Sequence, residues 1–159
     1  MNQPFTMHVK TVEVHYNGPT DLQSSRLDTP ENAAAHVKAW NENTSNPPDA
    51  ESFSVFGLDS RHRLTSAETL TRGTRNQAPV DAQRLFRHLL AVDAVGFIIS
   101  HNHPSGDLDP SRDDIQLTEN LIKGGQFIGV GCLDHIITAP DGRWISLREC
   151  RPDIFGRII

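Results

Sequence analysis

Apolar positions along the chain follow two alternating rhythms, one with the period of a strand and one with the period of a helix. His8 to Tyr16 is rich in β-branched residues with partial alternation and predicts a strand, closed by Asn17-Gly18-Pro19. Thr29-Pro30-Glu31 opens a helix that Ala33-Ala34-Ala35, Val37 and Trp40 continue, and the polar, proline-bearing stretch from Asn41 to Asp49 ends it. Glu51 to Asp59 reads as a strand, Arg61-His62-Arg63 as a turn and Leu64 to Gly73 as a weaker returning strand, which together predict a hairpin. Between Val80 and Val92, Leu85, Phe86, Leu89 and Leu90 make an apolar helical face opposite Arg84, Arg87 and His88. The run from Ala94 to Ser100 is too short for a core helix and predicts a buried central strand. Asp109 then reads as a helix N-cap with Pro110 at the first helical position, Ile115, Leu117, Leu121 and Ile122 as the apolar face, and Gly124-Gly125 as the stop. Gly129 to Thr138 predicts another strand, turned by Pro140-Asp141-Gly142 into Arg143 to Ser146; the tail from Arg151 to Arg157 predicts nothing.

Strands alternating with helices define an α/β protein, and 159 residues suit one domain. Residues 1–50 are expected as a strand and helix within or extending the core, 51–150 as the main domain and 151–159 as a tail. No apolar run reaches the length of a membrane span, and Met1-Asn2-Gln3-Pro4 lacks the charged start and apolar stretch of a signal peptide. Cys132 and Cys150 are too few for a disulfide framework, so the expected location is a reducing cytoplasm. A formal net charge of −5 disfavours broad binding to nucleic acid, and the basic cluster Arg72, Arg75, Arg84, Arg87 and His88 reads first as a solvated surface.

The chemistry concentrates between Ile98 and Asp114. His101 and His103 are two apart at a strand end, so extended backbone sends both rings to one side. Pro104-Ser105-Gly106-Asp107 has the composition of a tight turn, and Ser111 and Asp114 are neighbours on the first turn of the next helix. A turn folding that helix start back on the strand end would gather His101, His103 and Asp114, three ligands suited to one Zn²⁺ per chain with a fourth position left for water. Cys132, Asp134 and His135 do not make a second metal site, since one Cys and one His are too few, and Cys132 reads as strand packing. His8 and His15, without paired spacing, read as exposed strand residues. A zinc-bound water needs a nearby base, but the residues alone do not select Glu51 over Glu42, Glu68 or Glu149. His101-Asn102-His103 also spells HNH, but nucleases of that label draw their residues from separated points of a ββα element.

The run H-N-H-P-S-G-D-x-x-P-S-x-x-D, with Thr118 and Leu133-Asp134-His135-Ile136-Ile137, closely resembles the RadC-like branch of the JAMM (MPN⁺/JAB) zinc metalloprotease superfamily. The likeness extends from about Glu51 to Glu149, and the pattern H-x-H-x₇-S-x₂-D is met by His101, His103, Ser111 and Asp114. The resemblance implies a three-layer α/β/α sandwich around a mixed sheet. It implies hydrolysis of a peptide or isopeptide bond, with a protein or peptide as substrate. Glu51, at the head of the strand before Leu58-Asp59, would be the general base, Ser111 would steady the oxyanion, and Asp134 and His135 could support the ligands from behind. Two alternatives accompany the family. One is a DNA-linked role, disfavoured because residues 1–50 show no paired short helices of the helix-hairpin-helix kind borne by full-length members. The other is a non-catalytic MPN interaction domain, disfavoured because every motif position is filled.

Overall fold

The computed structural model describes residues 26–44, 49–72 and 80–156. The strand expected at His8 to Tyr16 lies outside them. Helix α1 runs Pro30–Asn43, with Thr29 as its N-cap accepting from the Asn32 amide and Pro30 at the first position, as the sequence predicts. The hairpin follows as β1 (Ser52–Leu58) and β2 (Leu64–Arg72), paired antiparallel, with His62 at φ 58° in the connecting turn. Then come α2 (Ala82–Ala91), β3 (Gly96–Asn102), α3 (Arg112–Ile128), β4 (Gly131–Thr138), β5 (Trp144–Ser146) and two single-turn helices, α4 (Leu147–Cys150) and α5 (Pro152–Phe155).

The strands form one mixed sheet in the order β2-β1-β3-β4-β5, in which only β3 and β4 pair parallel, joined by the crossover through α3. Alternation along the strands sends side chains to both faces. Phe53, Val55, Phe97, Ile99 and Ile137 meet Leu85 and Leu89 of α2, Leu121 and Ile122 of α3, Leu147 and Phe155 on one side. Phe56, Leu58, Ile98, Leu133 and Ile136 meet Leu27 and Ala33, Ala34 and Val37 of α1 on the other. Helices therefore cover both faces, giving the three-layer α/β/α architecture. Phe155, in a tail that predicts nothing by sequence, is only 4% exposed and completes the first cluster.

Two helix boundaries differ from expectation. The N-cap of α3 is Ser111, not Asp109: Ser111 and Asp114 form a reciprocal capping box, while the Asp109 amide is taken by the Asp107 side chain at 3.0 Å. Gly124-Gly125 does not stop the helix, which runs on to Gly129, a left-handed C-cap at φ 77°. The paired glycines answer to packing instead. A Cβ on Gly124 would stand 2.8 Å from the Phe86 ring, and one on Gly125 would strike the Val130 carbonyl.

A second polar constellation lies between β2 and α2. His88 Nε2 is 3.0 Å from Ser66 Oγ and its Nδ1 is 2.8 Å from Glu68. Its order of contacts matches a serine-hydrolase triad, but Ser66 is 0% exposed beneath α2, and a Cβ on Gly57 would run into its hydroxyl. The trio ties α2 to the sheet. Arg84, from the basic cluster, is committed to Glu68 and the Leu70 carbonyl.

Candidate metal centre

The site forms where β3 ends and α3 begins. His101 faces the α2/α3 side of the sheet with Phe97 and Ile99, as strand alternation requires, and Phe53 of β1 stacks on its ring at 6.1 Å and 17°. His103 follows the strand end, its backbone N–H still bonded to Thr138 of the adjacent strand at 2.8 Å. The loop turns on the Gly106 N–H to His103 carbonyl bond, with Gly106 at φ 80°, and Arg143 Nη2 holds the Gly106 carbonyl at 3.0 Å. The first turn of α3 then delivers Asp114 to the two rings.

His101 Nε2 lies 2.8 Å from His103 Nε2 and 3.2 Å from Asp114 Oδ1, and His103 Nε2 lies 3.5 Å from Asp114 Oδ2. Among the described residues this is the one group of three or more His, Cys, Asp or Glu side chains disposed to hold a metal ion.

The partners behind the rings fix which nitrogens face inward. Asp107 offers a backbone carbonyl, which only accepts, 2.6 Å from His103 Nδ1; that nitrogen carries the proton, and Nε2 keeps its lone pair. For His101 the chain is longer. The Thr118 hydroxyl donates to the Asp114 carbonyl at 2.6 Å, so it accepts from His135 Nδ1 at 2.7 Å. His135 Nε2, left with its lone pair, accepts from His101 Nδ1 at 2.7 Å, and His101 Nε2 is free to face inward. His135 and Thr118 are both 0% exposed, and burial holds the His135 ring well below its ordinary titration range, in the neutral form this relay needs.

Two lone pairs and a carboxylate oxygen held this close repel one another unless a proton or a cation stands between them. Tetrahedral Zn²⁺ with bonds of about 2.0–2.1 Å would separate its ligand atoms by roughly 3.3 Å. The observed separations and the N,N,O donor set fit that ion. Without it, protons are drawn in. Hydrogen bonding to Asp114 lifts the His103 ring above its ordinary range against the opposing effect of burial, with the Asp107 carbonyl and the Glu51 charge adding to the rise. Burial works to raise the Asp114 carboxyl, but the His101 and His103 rings and the Ser111 hydroxyl outweigh it and hold the group far below the carboxylate range.

The other expected site residues fall as follows. Ser111 donates both its backbone N–H (2.8 Å) and its hydroxyl (2.7 Å) to Asp114 Oδ2. Glu51 stands immediately before β1, exposed, and lines a cavity of about 490 Å³ with Phe53, His101, Asp114, Val80 and Leu117. Of the pair expected behind the ligands, His135 touches His101, while Asp134 turns to the opposite face of the sheet. There it accepts from the His135 amide (2.7 Å), the Ser146 hydroxyl (2.7 Å) and the Arg148 amide (3.1 Å). Two residues escape the sequence: Thr118 stands out there only as part of the family likeness, and Asn102 only as the middle of the histidine pair. Asn102 bonds both neighbours of Glu51: its Nδ2 donates to the Ala50 carbonyl at 2.9 Å, and its Oδ1 accepts from the Ser52 amide at 2.7 Å.

A mixed-sheet α/β domain with a His/His/carboxylate cluster at a strand end defines the class. The chain belongs to the RadC-like JAB domain family, whose model matches residues 27–152. It is similar to a UPF0758 protein of Synechocystis (35% identity over 132 residues, covering 81% of this chain and 51% of the relative). It is also similar to UPF0758 proteins of Methanosarcina mazei (39% over 99 residues, 62% and 43%) and Desulforamulus reducens (41% over 101 residues, 64% and 44%). The chain thus spans about half or less of the length of these relatives. No helix among the described residues is long and apolar enough to cross a membrane.

Proposed function

We propose that this chain is a zinc-dependent hydrolase that cleaves an amide bond, peptide or isopeptide, in a protein or peptide substrate. The observation that carries the reading is the convergence of His101 Nε2, His103 Nε2 and the Asp114 carboxylate, with both ring tautomers fixed from behind. These three would hold Zn²⁺, which when bound supplies a Lewis acid and lowers the pKa of its water towards about 7.

The remaining steps belong to side chains. Glu51, in the same cavity, accepts the proton of the attacking water and delivers it to the departing amine. The Ser111 hydroxyl turns its proton from Asp114 Oδ2 to the oxyanion while its oxygen goes on accepting from the Asp114 backbone N–H, and Asp114 Oδ2 keeps the Ser111 backbone N–H. Phe53, Val80 and Leu117 supply the cavity with apolar contact for substrate side chains, and Gln116 and Asn120 with hydrogen-bonding groups for its backbone.

The test is turnover of a pool of internally quenched peptides and of lysine-isopeptide-linked substrates by zinc-loaded protein. Cleavage that falls on the order of 10²–10⁴-fold in Glu51→Gln while zinc is retained supports the reading. Metal-dependent nicking of plasmid DNA that is lost in the same variant, without peptide cleavage, would overturn it.

A further inference from the structure

We propose that Asn102 is the positioning residue for Glu51, clamping the segment that carries the general base to the strand that carries the metal-binding histidines. The inference rests on the reading of Glu51 given above and adds a residue that this reading leaves idle.

The antiparallel ladder of β1 and β3 pairs Phe53 with His101 and stops there. On the β3 side, Ala50, Glu51 and Ser52 have no backbone partner among the described residues, although Ser52 still pairs with Arg72 of β2 on the other side, and a general base at Glu51 would have to reach a water beside His101 and His103. The Asn102 side chain takes over where the ladder ends. Its Oδ1 accepts from the Ser52 backbone N–H at 2.7 Å and from the Ser52 hydroxyl at 2.9 Å, and its Nδ2 donates to the Ala50 carbonyl at 2.9 Å. Glu51 is therefore pinned on both flanks by one amide group, while its own side chain makes no hydrogen bond among the described residues.

The orientation of that amide is set by its partners. A backbone N–H only donates and a backbone carbonyl only accepts, so oxygen faces Ser52 and nitrogen faces Ala50. No other side chain of this length offers a donor and an acceptor on two separate atoms: Asp lacks the donor, and Ser or Thr carries both on a single oxygen. Alternation explains why the residue between two metal-binding histidines is available for the task, since Asn102 leaves β3 on the side opposite His101. The same strand end thus sets the ligands with its flanking residues and the base with its middle one. A misplacement of about 1 Å in a catalytic group can cost on the order of 10²-fold in rate, the scale on which such a clamp matters.

The experiment compares wild type, Asn102→Ala, Asn102→Asp, Glu51→Gln and the double variant Glu51→Gln/Asn102→Ala as full chains. In metal-free protein, amide hydrogen exchange at Ser52 is expected to quicken at least about tenfold in Asn102→Ala, with Ile98 and Ile99 unchanged. Asn102→Asp, which keeps the acceptor for Ser52 and loses the donor for Ala50, retains Ser52 protection and guards against a misfolded alanine variant. Zinc stoichiometry and affinity stay at wild-type values in both. Peptide turnover in Asn102→Ala falls about 10–100-fold in kcat with KM kept, and the double variant is no slower than Glu51→Gln alone, because the clamp acts only through the base. Unchanged Ser52 exchange, loss of zinc, or an equal further loss on the Glu51→Gln background would overturn the proposal. If wild type binds no zinc and cleaves nothing, the hydrolase reading fails, and the exchange data alone decide whether Asn102 holds the segment.

Discussion

The hydroxyl of Thr118, in the second turn of α3, lies 2.7 Å from Nδ1 of His135, in the middle of β4, and through that contact the helix dictates the protonation of a histidine two rings away. Replacing Thr118 by Val keeps the shape and removes the acceptor of the His135 ring Nδ1–H. The buried N–H left unpaired is expected to cost about 1–3 kcal/mol in urea unfolding. Because the His101 tautomer is no longer enforced, zinc affinity measured by chelator competition should fall about 10–100-fold with stoichiometry retained. Wild-type affinity in Thr118→Val would show that the relay plays no part in presenting His101.

Proton competition should shape metal binding. Asp114 raises the His103 ring above its ordinary value of 6.5, so in metal-free protein His103 is protonated to a higher pH than a free histidine. Zinc must displace that proton. Apparent affinity is expected to fall by about tenfold per pH unit on acidification, beginning above 6.5. The stability of metal-free protein should bend the other way on the alkaline side. A raised histidine contributes stability that is fully present below its unfolded value and lost as pH rises through its folded one. His135, with its folded value depressed, removes stability as pH falls below 6.5. Thermal melts of metal-free protein across this range, beside zinc titrations, check both slopes.

Asp134 is expected to matter for stability and not for metal. Asp134→Ala leaves the His135 backbone N–H, the Arg148 backbone N–H and the Ser146 hydroxyl without their acceptor at the corner joining β4, β5 and α4. The His135 amide and the Ser146 hydroxyl are buried and the Arg148 amide half-buried; a buried orphan costs about 1–3 kcal/mol, so denaturant unfolding should show a loss of several kcal/mol while one zinc per chain is still bound. Loss of zinc with stability intact would reassign the residue to the metal site.

The Ser66–His88–Glu68 trio offers a direct contrast with the metal centre. Ser66→Ala should leave any hydrolysis unchanged, because the hydroxyl is sealed under α2, and should cost about 1 kcal/mol through the lost bond to His88. Loss of turnover in this variant would point to a serine mechanism.

Much of the fold was legible because its signals are local. The Thr29-Pro30 start of α1, the hairpin around His62 and the short apolar run of β3 each announce themselves within a few residues. His101, His103 and Asp114 were legible as a group because strand parity and the first turn of a helix are short-range geometry. What escaped depends on distance in sequence. Asn102 looks like a spacer until the β1–β3 register brings Ala50 and Ser52 against it. Gly124 and Gly125 mimic a helix stop until Phe86 and the Val130 carbonyl are seen pressing on them. Phe155 has no periodic context, yet fills a core position. Strand alternation alone separates Asp134 from His135: adjacent residues point to opposite faces, so the two cannot both stand behind the same ligand.

The central claim is that His101, His103 and Asp114 form one metal centre, and titration of metal-free protein with Zn²⁺ under calorimetry tests it most directly. Wild type should bind one ion per chain. Asp114→Ala and His103→Ala should each lose that binding while keeping a cooperative unfolding transition. Absence of a zinc site in wild type, or a site unaltered by both substitutions, would contradict the account.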